Sequence, residues 1–548
     1  MNLAFVTYET PYAPCGGIAA VMGRLPAHVR VASRLETVVF TPFHHRLEKM
    51  SSLGRSHEGS FGVLFDGKMT VVHIFRHDDL NTKVPFYFLL PEDTRFFAGQ
   101  RHPYDVSSGD LVRDALFFGR AVAQAIHVVH PGERWTLFLQ DWEAATTALA
   151  FAGQPDAQRS FITLHNSYDA SPTPHELWQA GINPQATSGY TVLQRALEVT
   201  DRAVFTVSGQ YARDLTEETL QTRVFAPQLQ GALHSRVVGV DNGPFVDLAL
   251  SPEIVADASS GERASLLAWK GTNRQAFLAA LDKLKPSADK PVWGDISAFD
   301  RDDAPWFVMA GRDDPRQKGY DVAAKAAAMF LDQGGDGRFL FFPVPGDEGR
   351  PGLAFLERLA ERYPENVLAF PFLFREGFFS ALRAAAFGIM PSLYEPFGMA
   401  NEFYLNGTAG IGRATGGITQ QIAPLRSAAC FSAAVERRSG RWHSPSAIPT
   451  GLLFREPDGW EFEQSDWAQI NAGQYAVGRP GPDRVEERSR YQIFNNLADE
   501  LRVALVDGAR IVRQHPEIYC RLVTAGIAHI QQNFSWERAA QEYVRHVG

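Results

Sequence analysis

The stretch "PSLYEPFGMANEFYLNGTAGIGRATGG", Pro391–Gly417, decides the fold. The "FGIM" before it continues an apolar, β-prone run into "PSL", and Glu395 emerges where that run ends. Pro396-Phe397-Gly398 then turns the chain into a helix. "GIGRATGGITQQI" repeats strand, glycine turn and helix, with Thr415-Gly416-Gly417 at the second turn. Glycine lets a ligand approach the backbone closely, and helix-opening amides favour anions. A carboxylate beside them can accept hydrogen bonds from hydroxyl groups. Two such turns at one sheet edge are hard to explain by stability alone.

The same alternation runs outward in both directions. "LAFVTYE" is a strand, and "PCGGIAAVMGRLPAHV" reads as a glycine turn into a helix. "ETVVFTPF", "WTLFLQDWEAATTALAFA", "RSFITLHN", "RAVFTVSGQYARDL" and "SRVVGVDNG" continue the pattern, and "VLFDGKMTVVHIFR" reads as a hairpin turning at Asp66-Gly67. After a less regular stretch at roughly 245–300, strands and helices restart at "WFVMAGRDD". This is an α/β architecture of parallel sheets in two Rossmann-like halves. The expected domains are 1–245, 246–520 and a C-terminal helix over 521–548 that returns to the first. The polar, Gly- and Pro-rich stretch 455–487 reads as an insertion or lid without a regular core.

Bulk composition narrows the function. The chain of 548 residues is too long for one core, and its 45% hydrophobic and 21% charged content is that of a globular protein. A formal net charge of −9 argues against a nucleic-acid partner. No apolar run approaches the roughly 20 residues of a membrane span. "MNLAFVTYET" lacks a basic leader, and Cys15, Cys430 and Cys520 are far apart, so a reduced cytoplasmic protein without a metal site is expected.

Other candidates lie at strand ends. In "AGRDDPRQKGYD", Arg312 and Lys318 follow a strand and precede a helix, where two cations suit a diphosphate. Asp313, Asp314 and Arg316 read as solvated loop charges. Gly16-Gly17 sits between the first strand and the first helix, and a lone glycine pair also fits a plain turn.

Taken in order, "FVTYETPYAPCGGIAAVMGRLP", "FAGQRHPYDV", "LQDWEAATTAL", "TLHNSYD", "TVSGQYARDL", "GRDDPRQKGYDV", the 391–417 stretch and "FSWERAAQEY" resemble the bacterial glycogen and starch synthases. These are retaining glycosyltransferases of the two-domain GT-B fold, whose two domains face each other across a cleft. The resemblance covers nearly the whole chain apart from 455–487. It implies transfer of a hexosyl unit, with glucosyl expected, from an ADP- or UDP-sugar to a saccharide acceptor, without a cofactor. Arg312 and Lys318 would bind the donor diphosphate and Glu395 the donor sugar. Gly398, Met399, Thr415, Gly416 and Gly417 would line the sugar and phosphate, and Gly16 and Gly17 would approach the phosphates. His165 would touch the transferred sugar, and Asp141, Asn166 and Asn242 would line the cleft. The family's lysine, aspartate and two histidines are Pro14, Ala20, Gln140 and Glu143 here. These departures keep two alternatives open: a different donor or a non-glucan acceptor (a surface polysaccharide or small metabolite), and a non-catalytic nucleotide-sugar-binding or regulatory protein.

Overall fold

A computed structural model describes residues 2–45, 47, 53–80, 82–299, 303–346, 348–457, 459, 464–472 and 483–547. The chain forms two compact units. The first is Met1–Phe245 with Phe534–Gly548, and the second is Val246–Asn533.

Nine strands build the sheet of the first unit: β1 (Asn2–Val6), β2 (Thr37–Pro42), β3 (Ser56–Phe65), β4 (Lys68–Asp78), β5 (Pro85–Pro91), β6 (Trp135–Gln140), β7 (Arg159–Leu164), β8 (Val204–Thr206) and β9 (Val237–Gly239). Their order is β3-β4-β5-β2-β1-β6-β7-β8-β9. The pairs β3·β4 and β4·β5 are antiparallel; the other pairs are parallel. The expected hairpin is present: Phe65 pairs with Lys68, and Asp66 (φ 51°) and Gly67 (φ 69°) take the left-handed conformations that a tight two-residue turn needs. Leu3, Ala4, Phe5 and Val6 are fully buried, as a strand covered on both faces must be. The chain runs from β1 out to β2 on one side and later to β6 on the other. That reversal opens a crevice at the carboxyl ends of β1 and β6.

The last helix, Trp536–Arg545, completes this unit's core. Tyr543 stacks on Phe205 at 4.5 Å between ring centroids and meets Phe138 edge-on at 5.2 Å. Trp536 Nε1 donates to Pro244 O at 2.8 Å. The preceding helix, Pro516–Asn533, belongs to the second unit.

Six parallel strands build the second sheet: β10 (Trp306–Arg312), β11 (Arg338–Val344), β12 (Val367–Ala369), β13 (Phe387–Met390), β14 (Ala409–Arg413) and β15 (Gly451–Phe454), in the order β12-β11-β10-β13-β14-β15. Phe307 stacks between Phe339 and Phe387 at 5.2 and 6.0 Å, tying the three central strands. Here the reversal falls between β10 and β13, so Arg312 and the turn after Met390 share one crevice.

Two regions differ from the reading of the sequence. The stretch 245–300 is not irregular throughout: it holds helices Pro252–Ser260 and Ala264–Lys283. In 455–487, residues 458, 460–463 and 473–482 lie outside the described residues. The described part is packed rather than coreless: Arg455 and Glu456 are fully buried, Trp467 is 1% exposed and Arg484 2%.

Candidate functional site

The second unit brings three turns together. Strand β10 ends on Arg312 and the loop leaving it carries Lys318; the loop leaving β13 carries Glu395. They touch directly: Leu393 N donates to Gln317 O at 2.7 Å, and a Cβ on Gly319 would sit 2.5 Å from Pro391 O. Lys318 Nζ pairs with Glu395 Oε2 at 2.7 Å, and Ser392 Oγ donates to the same oxygen at 2.8 Å. Glu395 is only 6% exposed, so its carboxylate is held at a fixed place in a largely dry setting.

The third turn, after β14, supports Glu395 from below. Gly417 N donates to Glu395 O at 3.1 Å. Gly416 has φ 45°, and a Cβ there would lie 1.7 Å from Glu395 O, which no side chain could tolerate. Gln421 locks the helix entry: its Nε2 donates to Phe397 O at 2.8 Å, and its Oε1 accepts from Asn401 N at 3.2 Å. Thr415 and Met399 stand at the N-terminal ends of helices Gly416–Gln421 and Ala400–Leu405. The structure thus gathers Lys318, Glu395, Gly398, Met399, Thr415, Gly416 and Gly417 at one edge. Arg312 ends the adjacent strand, β10.

Sequence reasoning missed what fixes the Glu395 loop. Arg413 is fully buried and donates to the carbonyls of Leu393 and Ser392. It also pairs with Glu456, which in turn meets Arg455 at 3.1 Å. Burial alone would raise the Glu456 carboxyl, but the charges of Arg413 and Arg455 outweigh it and hold the group down at about 2. The signal for this cluster was only a lone "RE" after an apolar run. Asp313 was also misread: it is 2% exposed and pairs with Arg484, because two carboxylate oxygens facing a guanidinium fork can be buried together.

The first unit holds its own polar cluster at the β1/β6 crevice. Asp141 opens helix Asp141–Phe151 at φ 59°. Its Oδ1 accepts from His165 N at 2.6 Å and its Oδ2 from Asn166 Nδ2 at 2.9 Å. Burial pushes the Asp141 carboxyl up to about 8. His165 Nε2 lies 2.8 Å from Gln140 Oε1. The Gln140 amide is oriented by its donation to Phe138 O at 3.0 Å, so Oε1 accepts and the His165 proton sits on Nε2. Burial lowers the imidazole to about 3, which keeps it neutral. Asn242 is anchored after β9 by its N–H to Val207 O at 3.3 Å.

The glycine turn has an internal acceptor that the sequence did not reveal. Glu9, 4% exposed, accepts from Gly16 N and from Cys15 N at 3.1 Å, while Tyr104 OH donates to its other oxygen at 3.0 Å. Gly17 is exposed, and a Cβ there would meet nothing within 4 Å. Among the described residues no His, Cys, Asp and Glu form a group that could hold a metal ion. No helix among them is long and apolar enough to cross a membrane.

Residues 2–235 match the family model described as the starch synthase catalytic domain. A glycogen synthase from Kosmotoga olearia is 25% identical over 458 residues, covering 77% of this chain and 84% of that protein. Glycogen synthase 2 of Agrobacterium fabrum is 26% identical over 477 residues, covering 83% and 76%. These matches indicate a glycosyltransferase similar to the glycogen synthases. Among solved structures, the catalytic domain of starch synthase IV from Arabidopsis thaliana, bound to ADP and acarbose, superposes with a TM-score of 0.67. It is 18% identical and covers 99% of this chain and 97% of its own. The fold of this glycosyltransferase is accordingly GT-B, with the two parallel-sheet units expected from the sequence.

Proposed function

We propose that this glycosyltransferase moves a hexosyl unit, with glucosyl the expected one, from an ADP- or UDP-sugar to a saccharide hydroxyl with retention of configuration. The observation that carries the reading is the Lys318–Glu395 pair at the β10/β13 reversal. A diphosphate drawn to Arg312 and Lys318 competes for the Lys318 ammonium. As Lys318 shifts to the phosphate, Glu395 Oε2 is released to accept a hydrogen bond from a sugar hydroxyl. Ser392, the Gly417 amide and Arg413 keep the Glu395 loop in place during that exchange. Cations fixed at the leaving oxygens stabilise the charge that develops as the glycosidic bond breaks. The departing phosphate takes the acceptor proton on the same face, so no enzyme nucleophile is required.

Such a site works without a cofactor or a divalent metal, because Arg312 and Lys318 supply the positive charge. Gly398 and Met399 contribute amides to the sugar and phosphate, Thr415, Gly416 and Gly417 shape the turn beside them, and Gly16 and Gly17 are the first unit's glycines for close approach to phosphate. Neutral His165 serves as a hydrogen-bond partner for the transferred sugar rather than as an acid, with Asp141 and Asn166 hydrogen-bonded beside it and Asn242 as a further lining residue. The ADP in the starch synthase IV structure supports a nucleoside diphosphate as the leaving group, and bacterial relatives support a cytoplasmic protein acting on a glucan.

Pro14, Ala20, Gln140 and Glu143 favour a second reading for the acceptor alone. They alter the first unit, where Glu9 already occupies two amides of the glycine turn. Donor chemistry is then retained and the acceptor is a non-glucan saccharide. Assays with ADP-glucose and UDP-glucose, each with maltoheptaose and with mixed cell-surface saccharides, separate the two. Chain-lengthened maltoheptaose establishes glucan synthesis, whereas donor turnover only with another acceptor establishes the second reading. Absence of ADP and UDP binding at millimolar concentration would defeat both.

A further inference from the structure

The 455–487 segment, outside the family resemblance, ends on a short helix that reaches the β10 loop. Helix Arg484–Arg488 is opened by a reciprocal cap between Asp483 and Glu486. Residues four apart share a helix face, and Arg484 and Arg488 are 2% and 0% exposed. Arg484 grips Asp313 through two nitrogens at 3.2 and 2.8 Å and donates to Gly352 O at 3.0 Å. Arg488 pairs with Asp321 at 2.7 Å and donates to Pro315 O at 2.7 Å. Asp313 and Pro315 lie between Arg312 and Lys318, and Asp321 is in the first turn of the following helix, Tyr320–Asp332. The two guanidinium groups therefore bracket the loop at both ends.

Stability alone is a poor account of this arrangement. Burying a charge is costly, and apolar packing often stabilises as well or better. A two-pronged arginine, however, fixes angle as well as distance, which an apolar contact does not. There is also a matter of sign. Asp313 lies between the two cations and Asp321 just after them, and without counter-charges these carboxylates would repel an anion arriving at the loop.

We propose that Arg484 and Arg488 are positioning residues for the donor diphosphate. They hold the 312–318 loop in one shape and cancel Asp313 and Asp321, so this short helix sets donor affinity without touching the donor. The proposal rests on the donor reading above.

The test uses the full chain. Arg484→Lys and Arg488→Lys keep the charge and remove the fork. Asp313→Asn with Arg484→Gln supplies a neutral hydrogen-bonded pair in case a single variant fails to fold. Arg312→Ala reports on the donor site itself. Calorimetry with ADP and UDP, initial rates with ADP-glucose and UDP-glucose, and thermal unfolding are measured for each. The expected result is a rise of about 10- to 100-fold in diphosphate Kd and donor KM, the scale of loss from a slightly misplaced binding group. Acceptor KM and kcat should change far less, and unfolding should stay cooperative. Wild-type donor affinity in the folded lysine variants or in the double variant, with Arg312→Ala weakened, overturns the positioning role and leaves the donor site standing. Equal losses in donor and acceptor KM indicate general loosening and also overturn it. Undiminished ADP and UDP binding by Arg312→Ala overturns the donor reading, and this proposal with it.

Discussion

Lys318 Nζ lies 2.7 Å from Glu395 Oε2, so a cation and a carboxylate read from two separate motifs form one ion pair. Glu395→Gln should leave the fold intact, since Ser392 Oγ can still donate to the amide oxygen. It should leave ADP binding unchanged or tighter, because Lys318 is no longer held by a carboxylate. Turnover should fall by about 100-fold, the usual scale for loss of a group that acts on developing charge. Combined with Lys318→Ala in a double-mutant cycle, the two changes should be non-additive, as contacting residues are. Strict additivity in turnover would mean that the pair is not a working unit.

Arg413 is buried against Glu456 and Arg455, and its removal leaves Glu456 without one of its two arginines. Arg413→Met should destabilise the second unit by about 3–5 kcal/mol, read as a lower midpoint in urea. The Glu456 carboxyl is depressed to about 2, so its contribution to stability is full above the ordinary value of 4.5 and is lost as pH falls toward 2. Wild type should therefore lose stability more steeply than Glu456→Gln over that window. Parallel acid curves would remove the cluster from the account.

Asp141 carries the opposite sign. Its carboxyl is raised to about 8 by burial, so the benefit of keeping it neutral is full at acid pH and is lost as pH rises through about 8. Asp141→Asn should melt close to wild type near pH 4 and above it near pH 8, with a gap on the order of a few kcal/mol. A gap that does not change with pH would exclude the titration.

Two glycines should respond differently to alanine. At Gly416, φ is 45° and a Cβ would fall 1.7 Å from Glu395 O, so Gly416→Ala must displace the Glu395 loop. Turnover should be lost by about 100-fold or more, with a lowered melting temperature. At Gly17 a Cβ meets nothing within 4 Å, so Gly17→Ala should unfold within a degree or two of wild type (about 0.5 kcal/mol or less). A stable, fully active Gly416→Ala protein would contradict the geometry of the turn.

Much of the fold is legible because central strands covered on both faces are written as apolar runs, as in "LAFV" and "WFVM". The turns after β10, β13 and β14 are legible because glycine and proline mark them. The helices at 252–260 and 264–283 are not: only Ala258 in the first, and Leu266, Lys270, Phe277, Leu278 and Leu281 in the second, are buried, so no broad apolar stripe announces either. The supports of the candidate site are harder still. Arg413 with Glu456, Arg484 with Asp313 and Glu9 with Gly16 are polar pairs distant in sequence, and composition assigns such residues to the surface. Their burial follows from pairing, which only the folded chain creates.

The helix Trp536–Arg545 belongs to the unit whose sheet is translated first. Phe138 and Phe205 leave the ribosome early, yet Tyr543, whose ring packs on both, follows only after the second unit. All of Val246–Asn533 is made in the interval, which at roughly 5–20 residues per second is on the order of tens of seconds. Throughout that time the nascent first unit displays an uncovered aromatic face, a natural landing place for chaperones.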